Sequence, residues 1–402
     1  MTIPFSPPYI NQTIIDEVTE SLKSGWITTG PKVKALEQEV ENLTGASNAL
    51  CVNSATSGLM LALKWFGIKE GDEVIIPVYT YAATALAVLN VGATPVMVDV
   101  NEDFNISISA IEKVITKKTK VIIPVDIAGW PCDYDAIQSL VNQKKDVFQT
   151  DTENQKKLGR ILILSDAAHS IGASYKEKQT GNICDISVFS FHAVKNITTA
   201  EGGVICLNLP EPFVNSDEYA FMRCFSLNGQ TKDAFTKSKA GGWRYDIIHQ
   251  GMKINMPDVL AAIGLVQIKM YNSNLLKSRE GIFHIYNNTL KKKPWAILPP
   301  YESENAKSSF HLYALRIKDC SEEQRDQIIE KITEQGVAVN VHFQPLSKLT
   351  LFKDLGYENS KYPQANKNYA CEISLPIYPQ LVKEQLDYIL KTVISSVEDI
   401  LC

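Results

Sequence analysis

Ser190-Phe191-His192-Ala193-Val194-Lys195-Asn196 runs into the small, polar stretch Ile197-Thr198-Thr199-Ala200-Glu201-Gly202-Gly203, leaving a lone lysine between two segments of opposite character. Upstream, the apolar run Ile161-Leu162-Ile163-Leu164 ends at Ser165-Asp166-Ala167-Ala168-His169-Ser170, so a carboxylate stands about 30 residues before the lysine, the spacing of consecutive βαβ-scale elements. A lysine held where a buried-strand pattern, Val188-Phe189-Ser190-Phe191, meets a tight Glu-Gly-Gly turn can lose hydration, lower its pKa and act as a nucleophilic amine. Paired with Asp166, such an amine suggests Schiff-base chemistry on pyridoxal phosphate: the carboxylate would keep a pyridine nitrogen protonated and make the ring an electron sink. Each residue has a plainer alternative. Lys195 could be a surface lysine on a loop, and Asp166 the N-cap of a helix beginning at Ala167.

A phosphorylated cofactor also needs an anion site. Asn53-Ser54-Ala55-Thr56-Ser57-Gly58 leads into the apolar-periodic Leu59 to Phe66, placing small hydroxyl residues at a helix start, where free N–H groups and the dipole favour an anion. The chain contains no GxxxxGK[ST] motif, so Ser54, Thr56, Ser57 and Ser190 are the hydroxyl candidates, and only their clustering distinguishes them from ordinary loop and cap residues. Tyr81, after Thr80 at a strand end, could cap the core or stack on a planar heterocycle. His169 could donate to the cofactor's phenolic oxygen or be a satisfied core histidine.

The elements that would position these residues follow from periodicity. Val33 to Leu43 has helical period and closes on Gly45, suited to a left-handed C-cap. Strands are expected at 49–52, 73–77, 94–98, 121–125, 161–164, 188–191 and 204–207, the last ending the sheet-rich part. Helices are expected near 59–66, 82–91 and 109–115. Alternating strands and helices imply an α/β fold with a mostly parallel sheet covered on both faces. Residues 142–160 break this rhythm with little apolar content and read as a surface insertion away from the chemistry. A long helix is expected over 257–271. Beyond about Leu275, strands at 313–317 and 337–343 flank a helix over 322–335, and an amphipathic helix closes the chain at 383–397. The expected organisation is therefore a large domain, 1–272, and a smaller C-terminal α+β domain, 273–402.

Composition narrows the function classes. A net charge of −5 and a pI near 5.8 leave no basic surplus for a nucleic-acid backbone. Cys51, Cys132, Cys184, Cys206, Cys224, Cys320, Cys371 and Cys402 form no CxxC pair, which argues against a zinc ribbon, a redox dithiol or a disulfide framework and for reduced thiols in the cytoplasm. The first residues, Met1 to Pro8, lack a basic segment followed by an apolar core, and no run of 18 apolar residues occurs, so neither export nor membrane spanning is expected.

The series Gly45, Asn53-Ser54-Ala55-Thr56-Ser57, Gly71-Asp72-Glu73-Val74-Ile75-Ile76-Pro77, Gly92-Ala93-Thr94-Pro95-Val96, Val98-Asp99-Val100, Asp166-Ala167-Ala168-His169, the Lys195 segment and Ser374-Leu375-Pro376-Ile377-Tyr378-Pro379 resembles the DegT/StrS-type (DegT/DnrJ/StrS) sugar aminotransferases over most of the chain. These are pyridoxal-phosphate enzymes of the aspartate-aminotransferase fold (fold type I) that aminate nucleotide-linked keto sugars. The resemblance implies that Lys195 forms the Schiff base, Asp166 pairs with the pyridine nitrogen, Tyr81 stacks on the ring, and Thr56, Ser57 and Ser190 hold the phosphate. It further implies a homodimer with shared active sites. Lys253, in Gly251-Met252-Lys253-Ile254-Asn255-Met256 where the family usually has Asn, would reach the neighbouring subunit's phosphate. His342 matches a segment lining the substrate cleft, and Arg244 lies in a loop that could meet the donor carboxylate or the nucleotide diphosphate, although a plain surface position fits it better. His169, Lys195-Asn196-Ile197-Thr198 and the Lys253 segment look most like the enzymes that aminate C4 of a UDP-4-keto pentose for lipid A modification.

The expected reaction is a ping-pong transamination with L-glutamate as donor, pyridoxamine phosphate standing between the half-reactions, and Lys195 moving the proton. The acceptor would be a UDP-4-keto sugar for cell-surface polysaccharide or lipopolysaccharide synthesis. Alternatives are amination at C3 of a dTDP- or UDP-linked 3-keto sugar, a cyclitol aminotransferase, or a non-catalytic regulator retaining the fold. A sugar dehydratase of the same family is disfavoured because those enzymes carry His where Lys195 stands. The loop 228–250 is expected to help choose the sugar.

Overall fold

The computed structural model describes residues 1–232 and 244–401. After α1 (Gln12–Lys23), Val33, Leu36 and Val40 form the buried stripe of α2 (Pro31–Thr44), which starts on a proline whose missing N–H costs nothing there. Gly45 ends that helix at φ 74°, the left-handed cap expected of it. The chain then alternates β1 (Asn48–Val52), α3 (Ala55–Trp65), β2 (Glu73–Pro77), α4 (Ala82–Asn90), β3 (Thr94–Val98), α5 (Ile108–Val114), β4 (Thr119–Ile122), α6 (Tyr134–Gln143), α7 (Glu153–Leu158) and β5 (Leu162–Asp166). A short hairpin, β6 (Ser174–Tyr175) and β7 (Lys178–Gln179), precedes β8 (Ile186–Ser190), β9 (Gly203–Leu207) and α8 (Asn215–Ser226).

Seven of these strands, all but β6 and β7, form an α/β sheet in the order β1-β9-β8-β5-β4-β2-β3. All neighbours from β8 to β3 are parallel, as the alternating pattern predicts, whereas β9 is antiparallel to both β8 and β1. Strand β9, the last of the sheet-rich part of the sequence, lies between β1 and β8, because the tight Glu201-Gly202 turn folds it back beside the strand it follows. Strand β4 stops at Ile122 rather than continuing to Val125: Pro124 has no N–H to give, and only its carbonyl is used, by Asp166 N at 2.9 Å.

Beyond the helices Asp258–Met270 and Leu276–Leu290, β10 (Ala296–Ile297), β12 (Tyr313–Ile317) and β13 (Glu372–Leu375) form an antiparallel sheet in the order β10-β12-β13, while β11 (Ala306–Lys307) joins β6. The strand expected over 337–343 is replaced by single bridges, Val337 to Ile3 and Asn340 to Ser374. Strand β13 already occupies that side of β12, so the segment runs along the sheet's edge and then leaves it, carrying His342 and Phe343 toward the larger sheet. Buried apolar residues separate accordingly. One cluster joins Ile3 to residues between Ile282 and Val397, while the larger sheet's cluster also takes in Leu312, Ala314, Leu346 and Phe352. We read this separation as a large and a small lobe divided near residue 272.

Residues 142–160 are more than a polar appendage. Thr152 Oγ1 and Gln155 Nε2 donate to Phe66 O at 3.2 and 3.0 Å, and Asn154 Nδ2 to Trp65 O at 2.9 Å, so polar side chains satisfy the last carbonyls of α3. Hydropathy cannot register such a role, since the residues bury by hydrogen bonding rather than by apolar contact. Among the described residues, no helix is long and apolar enough to cross a membrane, and the described cysteines, which exclude Cys402, are free thiols.

Candidate active site

The parallel strands end together, and their carboxyl ends open into a cleft of about 460 Å³ against the small lobe, where open α/β sheets bind their ligands. Strand β5 ends at Asp166, which is buried at the cleft's base. Thr84 Oγ1 donates to its Oδ2 at 2.7 Å and Ala168 N to its Oδ1 at 3.3 Å. Burial pushes the Asp166 carboxyl above the usual carboxylate range, against the pull of these bonds and of the Lys195 charge. The N-cap alternative is not realised, because the chain makes a turn after Ala167 and no helix begins there. The site suits a cationic partner, which would favour the ionised form.

Strand β8 ends at Ser190, and the following turn, closed by Lys195 N to His192 O at 2.9 Å, carries Lys195 into the same cleft. Part of the lysine's surface faces the open cleft, yet protein crowds the amine closely enough that lost hydration dominates. Its pKa falls from 10.5 to about 8, with Asp166 holding it partly up. Asn196 pins the turn, its amide donating to Ser309 O at 2.8 Å and Tyr271 Oη at 3.1 Å, while its Oδ1 meets His311 Nδ1 at 2.9 Å. Because the Asn196 nitrogen already serves two acceptors, His311 is the donor across that contact.

The anion end is the start of α3. Ser54 Oγ accepts from Ser57 N at 3.1 Å and lies 2.9 Å from Ser57 Oγ, and Gly58 N donates to Ser54 O at 3.1 Å. Among the described residues, no hydrogen bond engages the N–H of Ala55 or Thr56, both of which line the cleft. Gly203, at the start of β9, abuts this helix start: a Cβ there would lie 2.6 Å from Ala55 N, so only glycine permits the approach.

His169 is buried, and its Nδ1 accepts from Ala128 N at 3.3 Å, leaving the proton on Nε2. Burial and the neighbouring Lys195 and His342 keep the ring neutral, well below its usual pKa. Tyr81 caps no core: it is 64% exposed at the N-terminus of α4, tilted against Phe343 with ring centroids 5.8 Å apart. His342 also lines the cleft.

The fold therefore brings Thr56, Tyr81, Asp166, His169, Ser190, Lys195 and His342 around one space, with Ser57 one hydrogen bond behind Ser54. It does not bring Arg244 or Lys253 there. Both are exposed, and Lys253 Nζ donates to Asn255 Oδ1 at 2.5 Å. Of the loop expected to choose the sugar, residues 233–243 lie outside the described residues. Sequence reasoning missed Thr84, Asn196 and His311 as supporting residues. Thr84, polar inside the apolar helix α4, was the one readable signal. The residues present fit pyridoxal phosphate: an amine of lowered pKa, a buried carboxylate suited to a pyridinium, a histidine N–H, and a helix start with open donors.

Comparison with known proteins agrees with this chemistry. The DegT/DnrJ/EryC1/StrS aminotransferase family matches residues 8–394. The spore coat polysaccharide biosynthesis protein SpsC of Bacillus subtilis is 35% identical over 97% of this chain and 96% of its own. The structure of the putative sugar aminotransferase Spr1654 from Streptococcus pneumoniae in its PLP form superposes with a TM-score of 0.96 at 42% identity, covering all of both chains. Its PMP form gives 0.95, covering 100% of this chain and 99% of that one. Helicobacter pylori PseC, an aminotransferase involved in the biosynthesis of pseudoaminic acid, gives 0.87 at 28% identity over 99% and 100% of the two chains. With the match spanning nearly its whole length and the cleft supplying the groups the cofactor requires, the chain belongs to the DegT/DnrJ/EryC1/StrS aminotransferase family and is a pyridoxal-phosphate-dependent aminotransferase.

Proposed function

We propose that this enzyme moves the amino group of L-glutamate to the keto group of a nucleotide-linked sugar, at C4 of a UDP-4-keto sugar, for cell-surface polysaccharide or lipopolysaccharide synthesis in the cytoplasm. The observation that carries the reading is the placement of Lys195, its pKa lowered to about 8, in one cleft with the buried carboxyl of Asp166. The sugar is supported by the relatives named for polysaccharide and sugar amination. The preference for C4 is supported by His169, by the Lys195-Asn196-Ile197-Thr198 segment and by Lys253.

When bound, pyridoxal phosphate supplies an aldehyde to receive nitrogen and a ring that delocalises the electrons left when a C–H bond breaks. Lys195 Nζ takes the α-proton of the donor amino acid and, in the reverse half-reaction, gives a proton to the sugar carbon that acquires nitrogen. A pKa near 8 leaves an appreciable fraction of free amine at neutral pH, which a lysine at its ordinary value would not. With the cofactor bound, Asp166, oriented by Thr84, would pair with the ring nitrogen, His169 Nε2 would donate to the phenolic oxygen, and Tyr81 would cover a ring face. Thr56, Ser57 and Ser190 would hold the phosphate together with the N–H groups that open α3. Arg244 and Lys253, which do not line their own cleft, serve the partner's cleft in a homodimer.

A spectrum and a substrate panel test this reading. The purified protein should carry a yellow chromophore bleached by L-glutamate, and the bleached form should aminate a nucleotide 4-keto sugar, seen by product mass and NMR. Lys195→Ala should lose both turnover and the chromophore. A C3-amino or aminocyclitol product would overturn the choice of acceptor. A protein with no chromophore change and no product would point instead to the non-catalytic alternative.

A further inference from the structure

Behind His342, on the side away from the cleft, stands a carboxyl that the reaction itself does not use. Glu372, the first residue of β13, is fully buried. Its Oε2 accepts from the backbone N of His342 at 2.9 Å, and its Oε1 lies 2.5 Å from Ser374 Oγ. Ser374 Oγ is in turn 2.9 Å from His342 Nδ1. Tyr79, two residues past the end of β2 in the large lobe, donates from Oη to His342 O at 3.0 Å, so the histidine's backbone is held from both lobes. With Nδ1 engaged by Ser374, Nε2 is the nitrogen left to the cleft.

We propose that Glu372, Ser374 and His342 form a proton relay in which the protonation of Glu372 decides whether His342 presents a hydrogen-bond donor or an acceptor to the bound sugar. The hydrogen-bond inventory permits two arrangements. With Glu372 ionised, the carboxylate only accepts, so Ser374 donates to it and His342 Nδ1–H donates to Ser374, leaving Nε2 an acceptor. With Glu372 protonated, its O–H donates to Ser374, which donates to Nδ1, so the ring proton sits on Nε2, now a donor. The imidazole stays neutral in both arrangements; one proton enters at the carboxyl and the ring merely changes tautomer.

Several groups bear on this carboxyl. Arg325, on the helix Glu322–Glu334, places Nη1 3.3 Å from Glu372 O; Arg316 is its cross-strand partner on β12; Tyr79 faces it from the large lobe and Cys371 precedes it in the chain. Burial outweighs the two arginines and raises the carboxyl from 4.5 to about 8, within the working range of a cytoplasmic enzyme. Burial and Lys195 push the His342 ring down to about 3, so the ring itself does not charge in that range. Glu372 and Ser374 are thus positioning residues acting through His342.

The inference rests on the reading of this cleft as the sugar site, and its test is made on holoenzyme without sugar so that the two can fail separately. In protein labelled with ¹⁵N-histidine, with the His342 signals assigned by His342→Asn, the ring proton should move from Nε2 to Nδ1 as pH rises through about 8. Glu372→Gln, whose amide donates permanently to Ser374, should hold the Nε2–H tautomer at every pH, and Ser374→Ala should abolish the shift. A His342 that keeps one tautomer across this range in the wild-type enzyme would overturn the relay, as would a shift that persists unchanged in Glu372→Gln. If either variant fails to fold, the wild-type titration decides alone. The KM for the keto sugar, with its pH dependence lost in Glu372→Gln, then reports whether the sugar feels the switch.

Discussion

Lys195 pays for its reactivity in the stability of the cofactor-free chain. Folding lowers its pKa from 10.5 to about 8, so between these values the unfolded chain binds more protons and stability must rise with pH. The penalty is fully present below about 8 and is relieved by 10.5. The cofactor-free Lys195→Met protein should therefore be more stable than the cofactor-free wild type at pH 7, and the difference should shrink across that window. Denaturant titrations of both proteins at several pH values check it; a difference independent of pH would mean the amine is not desolvated. The lysine, the aspartate and the histidine beside it were legible because an ionisable residue at the end of an apolar run stands out. Asn196 and His311 were not, since each acts by a hydrogen bond to a residue far along the chain, and of Thr84 only its polarity inside an apolar helix could be read.

Helix α3 shows how an element is held for its end rather than its middle. Its N-terminus opens on the cleft while residues from 152 to 155 cap its C-terminus, and the chain continues to Arg160, whose Nη1 and Nη2 donate to Asp185 Oδ2 and Oδ1 at 2.7 and 2.6 Å. Asp185 also accepts from Ile163 N at 3.0 Å, so one carboxylate ties the end of the polar segment to the start of β5, the strand that delivers Asp166. Removing it leaves a buried guanidinium and a buried N–H without their partner. Asp185→Ala should cost roughly 3–5 kcal/mol, the range for breaking a buried ion pair. The measurement is the shift in denaturant midpoint at fixed protein concentration, and an unchanged midpoint would show that the segment contributes nothing to the fold. Polar composition made this stretch look dispensable, whereas its hydrogen bonds make it part of the scaffold.

At the scale of the whole molecule, the proposed function assigns two cations, Arg244 and Lys253, to a partner's cleft. Both are exposed and do not line their own cleft, and large apolar side chains are exposed on and near α1, at Ile10, Ile15, Leu22 and Ile27. A dimer that covers these and delivers Lys253 to the opposite cleft makes a mixing prediction. Lys195→Ala and Lys253→Ala subunits, each nearly inactive alone, should recover roughly a quarter of wild-type activity after random reassociation, because half the dimers then hold one intact site. No recovery above the parent variants would place Lys253 in its own subunit's function.

The sequence by itself determined the local elements and the kind of chemistry. Apolar period sets strand or helix, Gly45 sets a helix end, and Lys195 and Asp166 at strand ends announce an amine and a carboxylate at the edge of a parallel sheet. Tertiary structure alone decided that β9 runs antiparallel between β1 and β8, that residues 337–343 leave the sheet's edge instead of joining it, and that Glu372 stands behind His342. The physical reason is one of range. Periodicity and capping are energies between residues a few positions apart, whereas strand order, edge position and buried hydrogen bonds are settled between segments that meet only when the whole chain has closed.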